Sequence, residues 1–197
     1  MNYLAHAYLS FRNPGILVGN MISDFVKGKK QFDYPMLVRE GIRLHRAIDA
    51  FTDSHAATHE GKKFFKPAVG LYAGAFMDIV YDHFLALDEK ELSESGWKDF
   101  TVETYTQLSA HESFLPEKFA RMLPYMRSQD WLYNYRFDWG IHNSFQGLVR
   151  RAKYLDDAEP VFRAFTENYD ALAALYRGFF PHVKKLAADE LVARAIL

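Results

Sequence analysis

The sequence predicts an all-α protein, a single-domain helical bundle, and three observations carry that expectation. Glycine, proline and polar turn residues divide the 197-residue chain into segments of helical length. No stretch shows sustained two-residue alternation bounded by hairpin turns. Apolar residues make up 49% and aromatics 16%, enough for a sizeable core, and no composition shift marks a linker, so one domain over residues 1–197 is expected.

The elements follow in order. Asn13-Pro14 predicts a helix over residues 13–27, since Asn caps free amides, Pro suits the first turn and Gly28 supplies a stop. A second helix starts near Pro35, after Asp33, and continues past Phe51. A third spans residues 67–87; apolar residues surround most of its circumference, as in a central, buried helix. Further helices are predicted over 97–110, 116–128, 131–136, 141–154 and from Ala158 to the carboxyl end, where Pro181 should kink or break the helix.

Several function classes are excluded early. No cysteine is present, so thiolate metal sites and a cysteine nucleophile are ruled out, and any metal must be held by imidazole nitrogen and carboxylate oxygen. The net charge of −1 argues against a general nucleic-acid binder, which needs a basic excess to neutralise phosphates. Residues 1–10 carry neither a basic leader nor an apolar run with a cleavage site, which predicts a cytoplasmic protein. The longest uncharged stretches, 13–23 and 67–77, fall short of the roughly 20 residues that span a bilayer, so no membrane span is expected.

Polar residues with chemical potential concentrate before residue 90. At about 100° per residue, His45, Asp49 and Asp53 lie within an arc of roughly 80°, beside an arc holding Leu37, Leu44, Ile48 and Phe51. One imidazole and two carboxylates thus share a stripe bordering the core, a pattern that a solvated helix face with an i,i+4 hydrogen bond also gives. Asp78 and Asp82, one turn apart, sit in an otherwise apolar segment where a carboxylate needs a partner. His83 falls about 140° from Asp78, within the stripe of Tyr72, Phe76, Ile79 and Val80. Three arrangements stay open: both aspartates ligate with His83 in support; His83 ligates with Asp82 while Asp78 supports them; or the His–Asp pair is only structural.

Asp24 lies among Met21, Ile22, Phe25 and Val26, and His6 sits in the apolar opening Tyr3-Leu4-Ala5-His6-Ala7-Tyr8-Leu9. With His45 and Asp78/Asp82 they form a donor set that suits Mn²⁺, Mg²⁺, Fe²⁺ or Zn²⁺, and helical bundles build metal sites from such residues on separate helices. His55, His59, His111, His142 and His182 fall in turns or polar surroundings and read as surface residues.

An ordered set of blocks resembles the acyl carrier protein phosphodiesterases, distant relatives of the HD-type phosphohydrolases. The blocks are Met1-Asn2-Tyr3-Leu4-Ala5-His6, Gly19-Asn20-Met21-Ile22-Ser23-Asp24-Phe25-Val26-Lys27-Gly28, Gly41-Ile42-Arg43-Leu44-His45-Arg46-Ala47-Ile48-Asp49, Phe51-Thr52-Asp53 and Asp78-Ile79-Val80-Tyr81-Asp82-His83-Phe84. Weaker echoes at Asp130-Trp131-Leu132 and Phe179-Phe180-Pro181 extend the likeness over nearly the whole chain. The resemblance implies an HD-domain-like fold and an enzyme, often described with Mn²⁺, that removes 4′-phosphopantetheine from holo-acyl carrier protein to leave the apo-protein. One position departs: relatives often carry a second Arg after the position of Arg46, where this chain has Ala47. One cation that would face phosphate or an acidic partner is therefore missing.

Phosphodiester hydrolysis needs a nucleophile, neutralised phosphate oxygens and a proton for the leaving alkoxide. A cation held by His6, Asp24, His45 and the Asp78/Asp82/His83 group would serve the first two needs. Lys27, Arg43 and Arg46 could bind phosphate, and Asp49 could orient His45 or act as general base. Lys27, Lys29, Lys30, Arg39 and Arg43 would suit the acidic surface of a carrier protein. Two other readings compete. One is an HD-like phosphohydrolase acting on nucleotides or another small phosphate ester. The other is a non-catalytic helical protein whose histidines hold a cofactor such as haem or stabilise the core.

Overall fold

A computed structural model describes residues 1–196, and among them eleven α-helices and four short 3-10 segments account for the regular structure, with no strand. The all-α expectation holds. Helix α1 (Tyr3–Tyr8) has no side-chain cap of its own. Its free amides are met from a distance instead: the Asp82 carboxylate accepts from Leu4 N (2.7 Å) and Ala5 N (3.1 Å).

Helix α2 (Pro14–Ile22) begins as the sequence suggests, with Asn13 Oδ1 accepting from the amides of Gly15 and Ile16, a cap worth about 1 kcal/mol. It ends earlier than expected. Ser23–Phe25 tightens into a 3-10 turn, Val26 and Lys27 are extended, and a second 3-10 segment runs over Gly28–Asp33. Asp24 therefore sits on a turn and not on the last turn of an α-helix.

Helix α3 (Met36–Ser54) lies against α2 at a crossing that only glycine permits. A Cβ at Gly19 would stand 2.0 Å from the Val38 carbonyl oxygen, and one at Gly41 would stand 2.3 Å from that of Ile16. Backbone touches backbone here, and this brings Asn20 and Asp24 against the His45 face of α3.

The expected helix over residues 67–87 is two helices. Helix α4 (Ala56–Val69) starts with His55 Nδ1 accepting from Ala57 N, contains Pro67 in its last turns, and stops at Gly70, which adopts φ +55°. Only glycine takes that left-handed conformation at no steric cost. After a 3-10 turn, helix α5 (Ala73–Ala86) forms the buried centre, with Phe76, Met77 and every residue from Ile79 to Ala86 buried.

Helices α6 (Glu94–Ala110), α7 (Glu117–Ser128), α8 (Trp131–Asn134), α9 (Asp138–Val149), α10 (Glu159–Glu167) and α11 (Tyr169–Val192) follow around α5. The carboxyl-terminal segment breaks at Asn168 and not at Pro181, which lies inside α11 without ending it. Buried apolar side chains from Leu4 to Leu191 form one continuous core. Among the described residues no helix is long and apolar enough to cross a membrane.

Candidate active site

Four of the residues singled out in the sequence converge between α1, α3 and the turn after α2. The rings of His6 and His45 stack at 3.9 Å with 14° between planes, and both are buried. Asn20 orients the two together. His6 Nδ1 donates to Asn20 Oδ1 (2.8 Å) and His45 Nδ1 donates to the Asn20 main-chain oxygen (2.7 Å). The Asn20 amide is itself fixed, because its Nδ2 donates to the His6 carbonyl and to Ser10 Oγ.

With both Nδ1 atoms committed as donors, each neutral ring turns the lone pair of Nε2 outward, and both reach the same carboxylate. Asp49 Oδ1 lies 3.2 Å from His6 Nε2 and Asp49 Oδ2 lies 3.0 Å from His45 Nε2. The His6 approach lacks hydrogen-bond alignment, so His6 Nε2 is a buried polar atom without a hydrogen-bond partner. Asp24 Oδ1 comes within 3.2 Å of His45 Nε2 from the solvent side, with its side chain 72% exposed.

The electrostatics of the cluster are those of lone pairs and carboxylates facing one another. Burial, reinforced by the His45 charge, pushes His6 down to about 4, so it is neutral at pH 7. Burial also works against charge on His45, but its hydrogen bonds to Asp24 and Asp49 outweigh it and hold His45 up at about 9. Burial opposes ionisation of Asp49, yet the hydrogen bond from His45, the close approach of His6 and the charge of the Met1 amine leave it well below the usual carboxylate range. Asp24 is held down chiefly by its hydrogen bond to His45. One positive charge among these groups is thus strongly favoured.

A divalent cation fits that demand. Candidate ligand atoms from His6, His45 and Asp49 lie within 4.8 Å of one another, a two-nitrogen, one-oxygen set, and an ion there would give the orphaned His6 Nε2 a partner. The stacked rings leave no space for a haem plane between them.

The remaining expected ligands stand apart. Asp78 pairs with the buried Met1 amine (3.0 Å), which also approaches Asp49 Oδ1 (3.4 Å). Burial raises the Asp78 pKa despite that neighbour, and the amine is carried to about 10 by Asp78 and Asp49 against the effect of burial. Asp82 does not face the cluster: both its oxygens are taken by the α1 amides, and burial lifts it to about 7. His83 is displaced from the expected ligand set as well. Its Nδ1 donates to Tyr135 O (2.7 Å) and its Nε2 pairs with Tyr169 Oη (2.9 Å). Neighbours on a helix differ by about 100°, so Asp82 and His83 serve different neighbours.

Among the expected phosphate binders, Lys27 and Arg43 are exposed, Arg43 pairing with Glu40. Arg46 reaches back to Val26 O (3.2 Å) and Gln31 Oε1 (3.0 Å), which ties down the turn after Asp24. Asn20 was missed in the sequence because its role depends on two partners distant along the chain. Also missed was the stripe Trp139, Asn143 and Gln146 on α9 with Arg150 just after it, whose i, i+4, i+7, i+11 spacing marks one polar-aromatic face.

Fold and cluster together define an all-helical protein with an interhelical His/Asp centre whose donors match a divalent-cation site. A family model described as acyl carrier protein phosphodiesterase matches residues 1–183. The acyl carrier protein phosphodiesterase of Photorhabdus laumondii subsp. laumondii is 30% identical over 191 residues, covering 96% of each chain. Those of Klebsiella pneumoniae (strain 342) and Enterobacter sp. (strain 638) are 30% and 32% identical over 191 residues, covering 96% of this chain and 99% of theirs. The chain belongs to the acyl carrier protein phosphodiesterase family. No solved structure gives a significant match.

Proposed function

We propose that the chain is a cytoplasmic, metal-dependent phosphodiesterase of the HD type that hydrolyses the link between 4′-phosphopantetheine and holo-acyl carrier protein, with Mn²⁺ the favoured ion and Mg²⁺, Fe²⁺ or Zn²⁺ alternatives. The reading rests on one observation above all. His6 and His45 aim both Nε2 atoms at Asp49 because Asn20 takes both Nδ1 protons. The names of the relatives supply the substrate class.

His6, His45 and Asp49 would hold the ion. When bound, a divalent cation supplies Lewis acidity toward phosphate oxygens and lowers the pKa of water in the site. Asp24, exposed beside His45, accepts the proton of the attacking water. The water oxygen bonds to phosphorus, the bond from phosphorus to the carrier-side oxygen breaks, and that oxygen takes a proton from solvent to leave as a hydroxyl while Asp24 returns its own proton to solvent. The products are apo-carrier protein and free 4′-phosphopantetheine. Lys27, exposed three residues beyond Asp24, and Arg43 add positive charge for the phosphate and the acidic carrier. Arg46 acts by fixing the turn that carries Asp24 and Lys27.

Intact-mass spectrometry tests the reading. Holo-carrier protein incubated with the enzyme and Mn²⁺ should lose the mass of its prosthetic group. No loss with any of the four ions would overturn it, and release of phosphate from nucleotides alone would replace it with the small-ester reading.

A further inference from the structure

A cavity of about 370 Å³ opens between α1, α8 and α9, within the about 300–1,000 Å³ usual for small-molecule sites. Its lining is joined along the chain to groups that meet the cluster. Asn2 and Tyr3 line it, and Asn2 follows the Met1 amine that contacts Asp49 and Asp78. Ile79 lines it too, directly after Asp78. The Tyr3 phenol lies within electrostatic reach of both the Asp24 carboxylate and the Arg151 guanidinium.

The wall has a specific chemistry. Its lining includes no acidic residue and two arginines, Arg150 and Arg151, so a bound group is neutral or anionic. Asn2 and Asn134 already donate to Tyr135 Oη and Gln129 O, and Gln129 Oε1 accepts from Trp131 Nε1; with Asn143 and Gln146 these carboxamides keep donor and acceptor capacity that matches a ligand carrying amides of its own. Trp131, Trp139 and Tyr135 offer flat apolar surface between those polar groups, suited to methylene and methyl groups.

We infer that this cavity receives the amide-bearing pantetheine arm of the prosthetic group, directing its phosphate to the His6–His45–Asp49 cluster and leaving the carrier protein outside. The assignment rests on the proposed function and deepens it. The phosphate is the end of the arm nearest the cluster, so the amides extend along α9 past Asn143 and Gln146. Gly147 marks a place to close the cavity: it lines the wall, and a Cβ added there has no atom within 4 Å.

The test uses pantetheine, which lacks the phosphate and so reports on the cavity without the cluster. The protein has three tryptophans; Trp131 and Trp139 line the cavity, while Trp97 is buried elsewhere at 2% exposure. In spectra of the protein labelled at the indole nitrogens, pantetheine should shift the Trp131 and Trp139 resonances saturably and leave Trp97 in place. Gly147→Leu, and independently Gln146→Leu, should abolish or weaken those shifts. Both should raise KM for holo-carrier protein by about tenfold or more with a smaller change in kcat. An unmoved Trp97 resonance reports that each variant is folded. Absence of a saturable shift, a shift that survives Gly147→Leu, or tighter binding of AMP than of pantetheine would overturn the assignment. If wild-type enzyme leaves holo-carrier protein intact, the proposed function fails, and the pantetheine titration still decides the cavity.

Discussion

Two buried histidine environments lie in the same bundle and differ in one atom's surroundings. At His6, His45 and His83 alike, Nδ1 donates to an amide oxygen, so each neutral ring turns its Nε2 lone pair away. At His83 that lone pair meets the Tyr169 hydroxyl, and the ring is complete within the core. At His6 and His45 it meets the Asp49 carboxylate, an acceptor facing an acceptor unless a positive charge intervenes. Burial and Nδ1 bonding therefore do not distinguish a candidate ligand from a structural histidine. What distinguishes them is whether Nε2 has a donor of its own.

The comparison can be broken most directly by deleting each ring. His45→Ala should abolish both retained metal, read by elemental analysis, and hydrolysis of the carrier-protein phosphodiester. His83→Ala should retain stoichiometric metal while lowering stability by about 3 kcal/mol in urea unfolding, from a lost buried side chain and an unpaired Tyr169 hydroxyl. Metal loss in His83→Ala with full retention in His45→Ala would reverse the assignments. Next in size is Asn20→Ala, which frees the His6 ring without touching a ligand atom; metal affinity should fall about 10–100-fold by competition with a chelator. Charge reversal at Lys29 and Lys30, both exposed beside the Asp24 turn, should raise KM for the carrier protein while metal affinity stays constant.

The smallest effect is a pH dependence of the metal-free protein. His45 is held at about 9, above its unfolded value near 6.5, so its contribution is complete below pH ~6.5 and disappears as pH rises through about 9. Asp49 is lowered, so its contribution is present above its unfolded value near 3.9 and is lost as pH falls. Together they favour the metal-free fold most between about pH 4 and 6.5. Asp49→Asn should flatten this profile in thermal unfolding scans, and an unchanged profile would remove the His45–Asp49 charge pairing from the account. Metal binding must displace the His45 proton, so affinity should rise with pH toward 9.

The parts legible in the sequence were those set by local rules. Asn13-Pro14 marked the start of α2, and the 3.6-residue period placed His45 and Asp49 on one stripe of α3. The apolar circumference of α5 identified the central helix, although its start was misplaced because Gly70, at φ +55°, ends α4 there. What escaped was fixed by distant partners. His6 reaches the cluster only because Asp82 anchors α1 across a separation of 78 residues at Leu4, and Asp82 looked like a ligand for the same reason that it works as an anchor. Adjacent residues Asp82 and His83 serve different neighbours of α5, α1 for one and Tyr135 and Tyr169 for the other, a division that composition alone does not reveal.

The contact of α2 and α3 at Gly19 and Gly41 also limits how this protein can be engineered. Replacing helical glycine by alanine is a common route to greater thermal tolerance, gaining about 0.4–1 kcal/mol where the backbone allows it. Gly178, whose added Cβ meets nothing within 4 Å, is open to that strategy. At Gly19 or Gly41 the same methyl group would wedge the helices apart and carry Asn20 away from both imidazoles, so a library that treats glycines alike would lose the catalyst while seeking a sturdier scaffold.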